Sequence, residues 1–168
     1  AVCRAVESLC DTDCGIKWCN DVVLHGKKLC GILTESSLLP DGSAAWLVVG
    51  IGVNVGQASF PPDIADMATS LALQELDVSP DALADAILAQ LTAMRTVLTD
   101  PAEWLAEYRR RCVNLGRPVR VLRGNTVRQA TALAIDEQFG LTVQYENGET
   151  ETVRSGEVSV RGLYGYIE

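Results

Sequence analysis

Hydrophobic positions change their spacing several times along this chain, and each change marks an element. Val2, Ala5, Val6 and Leu9 recur at helical spacing, so residues 1–10 predict the end of an amphipathic helix that Gly15 closes. Ile16–Trp18 reads as a short strand. Val22–Leu24 against Leu29–Thr34 reads as a hairpin with His25-Gly26 as its turn. A loop over 36–44, with the turn signal Pro40-Asp41-Gly42, leads into a strand over Val48–Val55. That strand has two unlike faces. Val49, Ile51, Val53 and Val55 form one, and Val48, Gly50, Gly52 and Asn54 form the other. Glycine weakens a strand, so two on one face mark close approach by a ligand or by other polypeptide. Asn54 adds a donor and an acceptor at the end of that bare track. The run alone leaves two readings open: a surface for a ligand, or space for a neighbouring helix.

From Asp66 the spacing becomes helical. One helix is predicted at about 66–76, and a second runs to about Leu98 from Ser79 as N-cap and Pro80 at its first position. A third follows Asp100-Pro101, carries Trp104 and Tyr108 four apart, and ends in Arg109-Arg110-Arg111, read as solvated charges favourable to the helix dipole. Near Leu115-Gly116 the pattern turns to strands: Pro118–Leu122, Val127–Ile135, Leu141–Tyr145, Thr150–Val153 and Val158–Val160. Turns at Gly124-Asn125, Phe139-Gly140 and Asn147-Gly148 separate them, and this spacing predicts a small β-barrel. The expected division is 1–114 and 115–168.

Composition narrows the class. With 168 residues, 48% of them apolar, the chain can bury a real core and is not disordered. A net charge of −8 argues against a nucleic-acid surface. No apolar run is long enough for a bilayer and the start lacks a signal-peptide pattern, so a cytoplasmic protein without membrane contact is expected. Five of the six cysteines precede residue 31, with no C-x-x-C pair and a single histidine, His25. They read as reduced thiols acting as small hydrophobes rather than as disulfides or zinc ligands, and no protein metal site is expected.

Five segments in order then resemble a known family, the biotin–protein ligases. They are Lys17-Trp18-Cys19-Asn20-Asp21, Gly31-Ile32-Leu33-Thr34-Glu35, Gly50-Ile51-Gly52-Val53-Asn54, Ala68-Thr69-Ser70-Leu71 and Ser155-Gly156-Glu157-Val158-Ser159. The resemblance implies an α+β protein: part of a class II synthetase-like catalytic domain, a mixed sheet with helices, then a small barrel of the Src-homology type. It implies joining of biotin to AMP with ATP and Mg²⁺, then transfer of the biotinyl group to a lysine of a carboxylase carrier domain. Lys17 would be the catalytic cation. Gly31, Ile32, Leu33, Gly50, Gly52 and Asn54 would line the biotin and adenylate site, and the loop at 56–65 would close over the adenine. Lys28 matches a family lysine beside that site, although at a hairpin tip it reads as a surface residue. Asn20 and Asp21, part of the same signature, are further candidates for that site, although by themselves they read as turn chemistry rather than metal ligands.

Two departures from the family stand out. Cys19 replaces the usual proline and sets a thiol near Lys17, an arrangement expected to lower its pKa and invite redox sensitivity. The family's earlier Gly-Arg-rich loop has no counterpart in this chain, nor has a DNA-binding winged helix. The expectation is a piece of a larger or split ligase whose N-terminal half lies elsewhere. The alternative is a non-catalytic binding or scaffold module, with a lipoate–protein ligase relative as a lesser rival. A sheet without its flanking strands also leaves an unprotected edge, so self-association or poor solubility is expected unless a partner covers it, a homodimer being one such arrangement.

Overall fold

A helix over Val2–Leu9 (α1) forms where the first apolar stripe lies, burying Val2, Cys3, Ala5 and Val6 while Leu9 stays exposed. The structure, a computed structural model, describes residues 1–95, 100–154 and 159–162. Four strands follow: Gly15–Lys17 (β1), Asp21–Leu24 (β2), Lys27–Leu38 (β3) and Ala44–Val53 (β4). They form one sheet in the order β1-β2-β3-β4, antiparallel throughout. Among the described residues, parallel pairing enters only as the isolated bridges Ile16 to Cys112 and Lys28 to Ala68. Gly15 therefore opens β1 rather than capping the helix. His25 and Gly26 both take positive φ, 48° and 78°, the geometry of a tight hairpin turn. The expected loop at 36–44 shrinks to its tip, because Glu35–Leu38 pair with Ala44–Val48.

The region from 66 to 76 is not the expected helix. Only Ala72–Gln74 form a 3₁₀ turn. The reason lies in the backbone groups before it. Met67 O accepts from Lys28 N, Thr69 N donates to Lys28 O, and Leu71 N donates to Asn54 O. Groups spent on a sheet edge are not free for a helical ladder. The second helix, α2, spans Pro80–Ala93 with the Ser79 hydroxyl accepting from Ala82 N; the part of its expected extension over 96–98 lies outside the described residues.

The helix Ala102–Arg111 (α3) departs from expectation at its basic end. Arg111 is not solvated: its side chain is 8% exposed and bridges Glu7 of α1 to Glu107. Arg109 donates to Ile135 O at 2.8 Å. Both tie α3 to neighbours distant in sequence. Beyond it come Pro118–Arg123 (β5), Thr126–Ile135 (β6), Leu141–Tyr145 (β7), Thr150–Val153 (β8) and Ser159–Gly162 (β9). These make an antiparallel sheet in the order β8-β7-β6-β5-β9. Val119, Val121, Leu141, Val143 and Tyr145 alternate onto its buried face.

Two cores result. One joins α1, β2, β3 and α2 through Val6, Leu24, Leu29 and Ile87. The other belongs to the second sheet but includes Trp18, from the segment after β1. All six cysteines are free thiols, four of them buried. No described helix is long and apolar enough to cross a membrane.

Candidate functional site

The register of the first sheet sets four residues in one cross-strand row. Lys17 stands opposite Asp21, Asp21 opposite Gly31, and Gly31 opposite Gly52. In the next row Leu33 faces Gly50. Alternation sends Ile16, Val22, Ile32, Ile51 and Val53 to the opposite side, against the α1–α2 core. The side chain of Ile32 is thus partly buried against that core. Its backbone serves the site instead: Ile32 O accepts from Asn20 Nδ2, and Ile32 N donates to Asn20 O.

Lys17 and Asp21 are 7% and 8% exposed. Asp21 Oδ1 lies 2.6 Å from Lys28 Nζ and Asp21 Oδ2 lies 3.5 Å from Lys17 Nζ. Burial pulls the Lys17 ammonium below the ordinary lysine range, and the neighbouring Asp21 charge opposes that pull. Asp21 therefore does more than shape a turn. One buried carboxylate holds two ammonium groups, leaving these three side chains a net positive charge beside an open sheet face. The family signature includes Asp21, but its two lysine partners could not be read from sequence, since they converge only through strand pairing.

The glycines now separate by purpose. A Cβ on Gly31 would stand 3.2 Å from both Cε and Nζ of Lys28, so the missing side chain lets Lys28 fold onto Asp21. A Cβ on Gly50 or Gly52 would meet only Leu33 O at 3.7 Å or Gly31 O at 3.8 Å, ordinary contacts with the adjoining strand. No helix presses on this face among the described residues, so packing does not require these two glycines. A cleft of about 530 Å³ lies over Asp21, Lys28, Gly31, Leu33, Gly50 and Gly52.

Asn54 continues the sheet edge: its backbone N donates to Leu29 O, and its Nδ2 donates to Thr69 O at 3.0 Å. Ser70 Oγ donates to Gln57 O and accepts from Leu73 N, which fastens the 56–65 loop to the same corner. Cys19 corrects an expectation. Burial pushes its thiol upward, and the nearby Lys17 charge is too small an influence to reverse this. Alkylation of Cys19 at neutral pH is accordingly expected to run slower than that of glutathione, read by mass spectrometry of the modified peptide. A faster rate would restore the reactive-thiol reading.

Comparison with known proteins shows what the chain resembles. Residues 1–54 match the model of the biotin/lipoate A/B protein ligase family, and residues 115–161 match that of the biotin protein ligase C terminal domain. The second sheet is accordingly the small SH3-like barrel of that domain. The bifunctional ligase/repressor BirA of Bacillus spizizenii is 42% identical over 73 residues, which are 42% of this chain and 22% of that protein. The biotin–[acetyl-CoA-carboxylase] ligase of Mycobacterium tuberculosis is 36% identical over 149 residues, 86% of this chain and 52% of the relative. The chain thus spans about half the length of the Mycobacterium tuberculosis relative and a smaller share of the Bacillus spizizenii one. Among solved structures, the biotin protein ligase from Aquifex aeolicus in complex with biotin and ATP superposes with a TM-score of 0.80 at 26% identity, covering 96% of this chain and 67% of that one.

Proposed function

The chain belongs to the biotin protein ligase family, and on that premise we propose that it supplies part of an ATP-dependent enzyme attaching biotin, through biotinyl-AMP, to a lysine of a carboxylase carrier domain. The observation that carries this is the row Lys17, Asp21, Gly31 and Gly52: a sheet face kept bare where packing does not demand it, ending on a buried cation. A flat bicyclic ring fits against backbone where Gly50 and Gly52 withhold side chains, with the exposed Leu33 beside it. Lys17 is the catalytic residue in this reading. Its ammonium faces the charge that accumulates as a carboxylate oxygen attacks the α-phosphorus and the bond to the departing pyrophosphate breaks, and a fixed cation in a poorly solvated place stabilises that charge more than water does. Asp21 and Lys28 hold it in register. Asn54 and the 56–65 loop take the adenylate side.

Mg²⁺ fits this scheme only as a companion of the triphosphate. Among the described residues no three carboxylate, histidine or cysteine side chains cluster as a cage, and Asp21 is engaged by two lysines. When bound, the ion would neutralise phosphate oxygens.

The test is biotin transfer to a carrier domain, with ATP and Mg²⁺, by this chain alone and with the N-terminal half of a relative added. Transfer only with the added half establishes the proposal. Transfer by the chain alone would show that no further segment is required. Silence in both, from folded protein, would favour a non-catalytic module.

The free edge carries a second expectation. β4 is the outermost strand of its sheet, and Trp46, Leu47, Val48 and Val49 are exposed along it. A long apolar edge is a template for strand addition, so we propose that the complementary half, or a second copy, covers it. Sedimentation of the isolated chain should show association that rises with concentration and falls in a Trp46→Lys, Val48→Lys variant. A monodisperse monomer would contradict this.

A further inference from the structure

We infer that the β6–β7 turn of the barrel, residues 136–140, is a positioning element for Lys17, acting through Trp18 and Tyr108. For its consequence in catalysis this rests on the function proposed above.

The residues flanking Lys17 are held by groups from the far end of the chain. On one side Val113 N donates to Ile16 O, and Gly15 sits so close that a Cβ would reach 2.4 Å from Val113 Cγ1. On the other, Trp18 N donates to Asn114 Oδ1 at 2.6 Å, and the Trp18 indole N–H donates to Phe139 O at 2.8 Å. Trp18 is 3% exposed and packs in the core of the barrel rather than that of its own sheet. Tyr108 Oη then donates to Cys19 O at 2.9 Å, while its ring meets Phe139 edge to face at 5.4 Å. Lys17 itself bears on Asp21 across the sheet, so its neighbours answer to the barrel while its ammonium answers to the site.

The turn that supplies this anchor is itself over-determined. Asp136 Oδ1 accepts from Gln138 N and Gly140 N at 2.8 and 2.7 Å, and Asp136 Oδ2 accepts from Arg154 at 2.8 Å. Phe139 is held at φ 61°, a left-handed conformation that a non-glycine residue keeps only when its surroundings insist. Gly140 is packed so tightly that a Cβ would stand 2.7 Å from Thr152 Cγ2. Such rigidity is costly for a surface turn. It is explained if the Phe139 carbonyl and ring must meet Trp18 and Tyr108 in one fixed place.

The decisive variants are Trp18→Phe, which deletes the indole donor but keeps an aromatic ring, and Tyr108→Phe, which deletes one hydroxyl. The first readout is independent of activity: acetic anhydride labelling of each lysine in the folded chain, with Lys27 as the internal reference. Lys17 labelling should rise several-fold in both variants while Lys27 is unchanged. Unchanged Lys17 labelling in a folded variant would overturn the inference, and Tyr108→Phe decides the matter if Trp18→Phe does not fold. The second readout is biotin transfer with the complementary half present. There kcat should fall by about 100-fold, the scale of an ångström-sized misplacement, with KM for biotin little changed. If the unaltered protein shows no transfer, the proposed function fails, while the labelling still decides whether the barrel positions Lys17.

Discussion

Replacing Gly52 with valine should leave the chain as stable as before and lower biotin transfer, assayed with the complementary half, by about 100-fold or more. The two halves of that expectation have separate causes. A Cβ at position 52 meets only Gly31 O at 3.8 Å, and one at position 50 only Leu33 O at 3.7 Å, so neither forces the strand to move. Relative to glycine, a β-branched residue in mid-strand gains on the order of 0.5–1 kcal/mol from reduced chain entropy and better strand propensity. The thermal midpoint of Gly52→Val should therefore hold or rise slightly. The activity falls because an isopropyl group now stands where the ring system must lie. Gly31→Ala is the informative contrast: its methyl would crowd Cε and Nζ of Lys28 and loosen the grip on Asp21 rather than fill the face. Full activity in a folded Gly52→Val protein would mean that the bare face binds nothing. Unfolding would mean that the glycine serves packing after all.

The second large effect is on stability. Arg111→Met should cost about 3–5 kcal/mol, because it removes one partner of a mostly buried ion network and leaves carboxylates uncompensated. Arg111 donates to Glu7 Oε2 at 2.8 Å, to Glu107 Oε1 at 2.9 Å and to Cys14 O at 3.1 Å, with its side chain 8% exposed. Arg4 closes the network, donating to Glu107 Oε1 at 3.0 Å and stacking on Trp104. Adding Glu7→Gln should restore part of the loss, since it removes one of the stranded charges. The pH dependence has a definite sign. Hydrogen bonding from Arg4, then from Arg111, holds the Glu107 carboxyl at about 2, against 4.5 ordinarily. A depressed carboxylate contributes its full stabilisation above the unfolded value and loses it as pH falls toward the folded one. Acid unfolding should thus steepen between about pH 4.5 and 2, and less so in Arg111→Met. Denaturant titrations at several pH values measure both effects. An Arg111→Met protein as stable as its parent would show that the network is ornamental.

Much of this molecule is written locally. The His25-Gly26 hairpin, the Ser79 cap and the barrel strands from Pro118 to Val153 are readable because turn residues and alternation act over a few positions. The bare face of β4 was legible for the same reason. Its meaning was not, since a helix and a ligand surface demand the same glycines of a single strand. Residues 66–76 mislead for the opposite cause: their apolar period suits a helix, but backbone bonds to Lys28 and Asn54 claim them first.

By itself, then, the sequence determined the order of the elements other than the 66–76 segment, the alternation within each strand and the family signature, all of which depend on spacing along the chain. Tertiary structure alone decided that Asp21 joins Lys17 and Lys28, that Arg111 is buried, and that Trp18 belongs to the barrel's core. Each of those depends on strand register or on contacts across about 90 residues or more. No local pattern encodes such distances; they emerge only when two cores close against each other and their buried charges are drawn into pairs.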